Sequence, residues 1–188
     1  MKRIAVYCGS SFGASEDYKV GAMELGKELA KRNMTLVYGG SSNGLMGAVA
    51  DTVLHEGGQV IGVIPKVLGD REISHTGLTQ LFTVDTMHER KAKMAELADG
   101  FVVLPGGTGT LEEFFEVFTW GQIGLHQKPC GLLNIQHYYD PLISLFDHMF
   151  DQKFLQEKFR SMLLIEEKPA ALIDRFYHYV APTIKSYD

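Results

Sequence analysis

The chain has 188 residues, 45% of them hydrophobic and 22% charged, with a formal net charge of −5 at pH 7. That length predicts one domain, residues 1–188, with a sizeable core, and the composition excludes a disordered chain. The mild acidity excludes bulk electrostatic grip on nucleic acid or on an anionic membrane surface as the main function.

The first apolar run, Ile4–Cys8, reads as a strand. It follows Lys2 and Arg3 but meets Gly9 too soon for a signal-peptide core, which takes about 7–15 apolar residues. No run reaches the ~18 residues of a membrane helix, so the cytoplasm is the expected compartment. Val20, Met23, Leu25 and Leu29 pattern a helix over Glu16–Lys31, and Thr35–Tyr38 is a second strand ending in Gly39-Gly40. A helix from about Leu45 to His55, a third strand Val60–Ile64 closed by Pro65, and a fourth at Leu81–Val84 follow. Then come a helix over Met87–Leu97, a fifth strand Phe101–Leu104, and a helix over Leu111–Ile123. The pattern ends with a sixth strand Cys130–Ile135, a helix Tyr139–Phe150, a seventh strand Met162–Ile165 and a helix Ala170–Val180.

Short continuous apolar strands alternating with amphipathic helices predict an α/β, doubly wound, Rossmann-like parallel sheet of about six to seven strands with helices on both faces. Ligands bind such sheets outside the carboxyl ends of the strands, where the strand order reverses. Gly9-Ser10-Ser11, Gly39-Gly40-Ser41-Ser42, Gly62–Pro65 and Pro105–Thr110 are glycine-bearing turns at that edge. Tight turns favour glycine on their own account, so the shared edge locates a site without specifying its chemistry. Cys8 and Cys130 form no CxxC motif and no disulfide framework. Cys8 reads as a small buried thiol, with a nucleophile at the strand end as the alternative.

Pro105-Gly106-Gly107-Thr108-Gly109-Thr110 joins a buried strand to a helix, presenting backbone N–H groups and hydroxyls at a helix N-terminus. Unpaired donors and a partial positive charge there suit a phosphate. No lysine follows in the Walker A position, and the turn after the first strand lacks GxGxxG, which disfavours a dinucleotide-dependent dehydrogenase. A mononucleotide or sugar phosphate fits better; a purely structural turn is the alternative.

On the Met87–Leu97 helix, Arg90 falls inside the stripe formed by Met87, Met94, Leu97 and Ala98, with Lys91 at its edge and Lys93 pointing to solvent. A core-facing arginine must be paired or line a cavity, so it is either a structural ion pair or an anion contact. Thr110-Leu111-Glu112-Glu113 has the form of a capping box, in which Glu113 reaches back to the backbone. The alternative is that Glu113 faces the ligand held by the glycine loop.

PGGTGTLEE, residues 105–113, matches PGGxGTxxE without a mismatch. With Met87-His88-Glu89-Arg90-Lys91 and Gly39-Gly40-Ser41-Ser42, it resembles the LOG ("Lonely Guy") family of cytokinin riboside 5′-monophosphate phosphoribohydrolases, long mislabelled lysine decarboxylases. The similarity runs from Cys8-Gly9-Ser10-Ser11 to about Asn134. It implies hydrolysis of the N-glycosidic bond of AMP or N6-modified adenosine monophosphates, in a homodimer without metal or organic cofactor. It also implies Arg90 and Glu113 as the catalytic pair. The same resemblance puts Gly106, Gly107, Thr108, Gly109 and Thr110 at the phosphate, and makes Gly40, Ser41, Glu72, Lys91, Glu112 and Thr119 further substrate contacts.

The reaction builds positive charge on the ribose, which a nearby carboxylate stabilises or relieves by orienting water. Proximity to a helix N-terminus leads to the expectation that Glu113 is held as the anion. A decarboxylase using pyridoxal phosphate needs a Schiff-base lysine, and nothing singles out Lys91 or Lys93 for that role. A nucleotide-binding or carrier protein of the same fold is the alternative function. A DNA-processing protein is disfavoured by the acidity and the lack of a basic, aromatic groove.

Overall fold

The computed structural model describes residues 1–69 and 74–184. Its strands are β1 (Arg3–Tyr7), β2 (Thr35–Tyr38), β3 (Val60–Pro65), β4 (Gln80–Val84), β5 (Gly100–Val103), β6 (Cys130–Leu133) and β7 (Leu163–Glu166). They form one seven-stranded sheet in the order β4-β3-β2-β1-β5-β6-β7, and every pair is parallel. β1 lies at the centre, with Ala5 opposite Val37 of β2 on one side and opposite Phe101 of β5 on the other.

The helices are α1 (Glu16–Lys31), α2 (Gly44–His55), α3 (Lys66–Gly69), α4 (Met87–Leu97), α5 (Thr108–Gln122), α6 (Asp140–Asp151), α7 (Glu157–Arg160) and α8 (Pro169–Tyr177). Alternate side chains of each strand leave the sheet on opposite faces. Ile4, Val6 and Cys8 pack with Leu25, Leu29, Val49 and Leu172, under α1, α2 and α8. Ala5, Tyr7 and Phe101 pack with Met94, Phe114, Val117 and Phe146, under α4, α5 and α6. Coverage on both faces is the reason the strands read as unbroken apolar runs. Among the described residues no helix is long and apolar enough to cross a membrane.

Several boundaries differ from the sequence expectation. Gly62 is an interior residue of β3, not part of a turn, and it leaves room for Leu78 and for the turn after β2: a Cβ there would stand 2.5 Å from Leu78 Cδ1 and 3.0 Å from Gly40 Cα. The sixth strand stops at Leu133 and gives way to a 3-10 turn over Ile135–His137. α3 and α7, of four residues each, were not expected, because one helical turn carries no periodicity to read.

The chain runs outward from β1 to β4, returns to the centre as β5, and continues outward on the other side. The carboxyl ends of β1 and β5 therefore flank the point where strand order reverses. Backbone bonds knit the two turns together there: Gly9 N donates to Pro105 O at 3.0 Å, and Leu104 N to Tyr7 O at 2.9 Å.

Candidate active site

A cleft of about 360 Å³ opens over this point. Its polar lining is Ser10, Gly107, Thr108, Gly109, Thr110, Arg90, Glu112 and Glu113, and its apolar lining includes Met46, Leu68, Met87 and Met94.

α5 begins at Thr108 with Gly107 as its N-cap, in extended backbone and without a side-chain cap. That corrects the capping-box reading: Thr110 is the third helical residue, and Glu113 lies in the second turn, beyond the orphan N–H groups. Thr110, Glu113, Phe114, Val117 and Phe118 are instead the buried stripe of α5, so Glu113 faces the sheet. Gly107, Thr108 and Gly109 are exposed at the cleft. The loop is braced from below, where the Tyr139 hydroxyl donates to Leu104 O and the Tyr138 hydroxyl to Gly106 O, both at 2.6 Å.

A Cβ at Gly109 would meet nothing within 4 Å, and its φ is not positive. The fold therefore gains nothing from glycine at this position, in the first turn of a helix. Gly109→Ala is expected to keep or raise stability, by up to about 1 kcal/mol. It should also raise the KM of a phosphate-bearing substrate by about tenfold, roughly 1.4 kcal/mol of binding. Thermal melting and steady-state kinetics check both.

α4 is started by Thr86, whose hydroxyl accepts from Glu89 N at 3.1 Å, while the Glu89 carboxylate accepts from Asp85 N at 2.9 Å. This fixes the helical phase that turns Arg90 inward, and Arg90 and Glu113 are each only 8% exposed. Arg90 Nε donates to Val63 O at 3.2 Å. Its Nη1 lies 3.1 Å from Glu113 Oε1, close enough for an ion pair, yet no hydrogen bond is aligned on that buried oxygen.

Burial raises Glu113 from the ordinary 4.5 to about 7; Arg90 and Lys91 pull it down, while Glu112 and Glu116 push it up. The expectation that the helix N-terminus holds Glu113 as the anion is thereby corrected. The macrodipole acts within the first turn, and desolvation outweighs it in the second. The carboxyl is poised near neutrality, as a base working at neutral pH requires.

Lys91 does not line the cleft. Its ammonium is buried between α4 and α5, bonded to Glu112 and, at 3.2 Å, to Glu116. Thr119 is exposed further along α5, outside the cleft. Gly40 and Ser41 also lie outside its lining. Gly40 has φ +81 and its carbonyl accepts from His75 N at 3.0 Å, while Ser41 is fully buried with its hydroxyl accepting from Asn43 N at 3.2 Å. Gly106 turns its carbonyl to Tyr138. Glu72 falls outside the described residues.

Cys8, Gly9, Ser10, Gly39, Leu68 and Met94 also line the cleft; sequence reasoning placed the Gly9-Ser10 and Gly39 turns at the ligand edge without naming them as contacts, and did not assign Leu68 or Met94 to it. The signal for the first three was the central place of β1 at the point of strand reversal. Burial pushes the Cys8 thiol up, with Glu113 adding to the rise, so it is a protonated packing group and not a thiolate nucleophile. Among the described residues no lysine lines the cleft, and no group of three His, Cys, Asp or Glu is arranged for a metal ion.

A family model described as "Possible lysine decarboxylase" matches residues 46–176. The probable cytokinin riboside 5′-monophosphate phosphoribohydrolase LOGL2 of Oryza sativa subsp. japonica is 48% identical, over 95% of this chain and 73% of that protein. The cytokinin riboside 5′-monophosphate phosphoribohydrolase LOG1 of Arabidopsis thaliana is 47% identical, over 95% of this chain and 84% of that protein. Among solved structures, TM1055 superposes with a TM-score of 0.73 at 22% identity, covering 95% of this chain and 100% of that one. The Moco carrier protein of Chlamydomonas reinhardtii superposes at 0.70 and 20% identity, covering 94% and 96%. At those identities the two structures speak for the fold.

Proposed function

The chain belongs to the LOG family of cytokinin riboside 5′-monophosphate phosphoribohydrolases, and on that premise we propose that Arg90 and Glu113 are the pair that cleaves a nucleoside 5′-monophosphate in the cleft. The activity is that of an N-glycosyl hydrolase, releasing free base and ribose 5-phosphate from cytokinin nucleotides. The observation that carries the residue assignment is the buried Arg90–Glu113 pair beside an open helix N-terminus.

The 5′-phosphate rests on the amides and hydroxyls of Gly107, Thr108, Gly109 and Thr110. Binding energy spent there, away from the reacting bond, fixes the ribose over Glu113. As the C1′–N bond lengthens, positive charge builds on the sugar and its electron pair leaves with the base. The Glu113 carboxylate stabilises that charge and accepts a proton from the water that adds to C1′. The released base takes up one proton, so the proton lost by water is balanced. Arg90 orients Glu113 and offsets part of the rise that burial imposes on its carboxyl, so that the anion is available near neutral pH. The base lies toward Met46, Met87 and Leu68, side chains soft enough to pack against an N6 substituent.

Lys91 and Glu112 support the site by joining α4 to α5. A substrate contact from Glu72 belongs to the same proposal, as do one catalytic domain spanning 1–188, a homodimer and a cytoplasmic location. Exposed Leu145 and Phe150 on α6, with Phe154 beyond it, support a face covered by a second copy. A carrier that binds without cutting has no need of a buried carboxylate poised near neutrality. Incubation with AMP and with N6-isopentenyl-AMP, followed by chromatography, tests the function. Free base and ribose 5-phosphate are expected in equal amounts; nucleotide that binds but stays intact would favour the carrier.

A further inference from the structure

We propose that Gly39 is a positioning residue for Arg90, its missing side chain being the space in which the guanidinium sits against Glu113. The inference rests on Arg90 and Glu113 as the reacting pair. Arg90 Nε donates to Val63 O, Nη1 lies 3.1 Å from Glu113 Oε1, and Nη2 occupies the space that a side chain at Gly39, just past β2, would fill. A Cβ at Gly39 would fall deep inside van der Waals contact with Nη2, with Met46 Sδ at 3.1 Å and Arg90 Cζ at 3.2 Å as its next neighbours.

Two observations separate Gly39 from a glycine that the fold itself needs. Its φ is not positive, unlike the +81 of Gly40, so an L side chain is conformationally allowed. The three atoms nearest such a Cβ belong to the flexible side chains of Arg90 and Met46, and none of the three is backbone. Alanine at this position is therefore accommodated by displacing the guanidinium, not by moving the sheet. The requirement for glycine comes from the catalytic arginine.

The charged and titratable groups facing Glu113 are Arg90 and Lys91 from α4, Glu112 and Glu116 from α5, and Tyr7 and Cys8 at β1. Of these, Arg90 is the one whose atoms stand among the nearest neighbours of a Cβ at Gly39. Displacing it removes a cation from Glu113, and an opposite charge at such range lowers a carboxyl by about 1–3 pH units. Gly39→Ala thus reads out as a rise in the titration of Glu113, which a packing defect elsewhere would not produce.

The test compares Gly39→Ala, Arg90→Ala and the double variant by melting temperature, by kcat and KM on the nucleotide that is cleaved, and by carbon-13 NMR titration of the Glu113 carboxyl. Gly39→Ala is expected to fold and to lose about 10²-fold in kcat, as an ångström-scale misplacement does. It should titrate Glu113 about one pH unit or more higher, and cost nothing further once Arg90 is absent. Adding Arg90→Lys to Gly39→Ala should bring the titration back toward neutrality, because the slimmer ammonium leaves room for a Cβ.

Losses that multiply in the double variant, an unmoved Glu113 titration, a rise in KM alone, or failure of Gly39→Ala to fold would each overturn the proposal. Normal turnover by both Arg90→Ala and Glu113→Gln would instead break the catalytic reading, while the carboxyl titration would still report on Gly39.

Discussion

Glu113→Gln is expected to fold at least as well as the parent chain and to lose turnover by about 10²–10⁴-fold, the worth of a positioned base. The stability half follows from the direction of the pKa. Burial raises Glu113 from 4.5 to about 7. Between those values the folded chain holds a proton that the unfolded chain has released, so stability falls as pH rises through that window and stays low above it. The contribution is roughly 3 kcal/mol. The amide mimics the protonated acid and keeps its shape, so Glu113→Gln should melt higher than the parent at pH 8 and about equally at pH 4. Melting curves at the two pH values and a base-release assay check the pair of effects. A folded Gln variant with near-normal hydrolysis would leave Glu113 as a buried helix residue with no part in the reaction.

Arg90→Ala is expected to lower activity at pH 7 by about 10²-fold or more and to change the pH profile, not only its height. The parent kcat/KM should fall on the acid side with a midpoint near the Glu113 value of about 7, because the ionised carboxylate is the working form. Without the guanidinium 3.1 Å away, Glu113 keeps its burial and loses its counter-charge. Its midpoint should then move up by about 1–3 pH units. Part of the lost rate returns at alkaline pH if Arg90 acts through Glu113, and none returns if Arg90 acts on the substrate phosphate. A variant with lowered melting temperature and an unchanged profile would make Arg90 structural.

The fold was legible because the central strands are buried on both faces and read as short apolar runs, most of them ending near glycine or proline; Thr35–Tyr38 and the helices Glu16–Lys31 and Met87–Leu97 have the limits their residues predict. The inward turn of Arg90 was equally legible, since one helix period places it among Met87 and Met94. The start of α5 was not. Gly107 caps it without a side chain, so the Thr-x-x-Glu pattern pointed three residues too late. The burial of Glu113 could have been found from its spacing with Thr110, Phe114, Val117 and Phe118. Its poised carboxyl could not, because desolvation by the sheet and the cation of α4 are tertiary effects. For the same reason Lys91, read at the edge of the α4 stripe, proves to be enclosed by two carboxylates of the next helix.

The most direct measurement is a crystal structure of the Glu113→Gln chain with AMP, which such a variant should hold uncut. Phosphate oxygens about 3 Å from the amides at 107–110, with the anomeric carbon beside the side chain at 113, is the predicted arrangement. A nucleotide bound with that helix terminus empty, or with its ribose turned away from position 113, would contradict it.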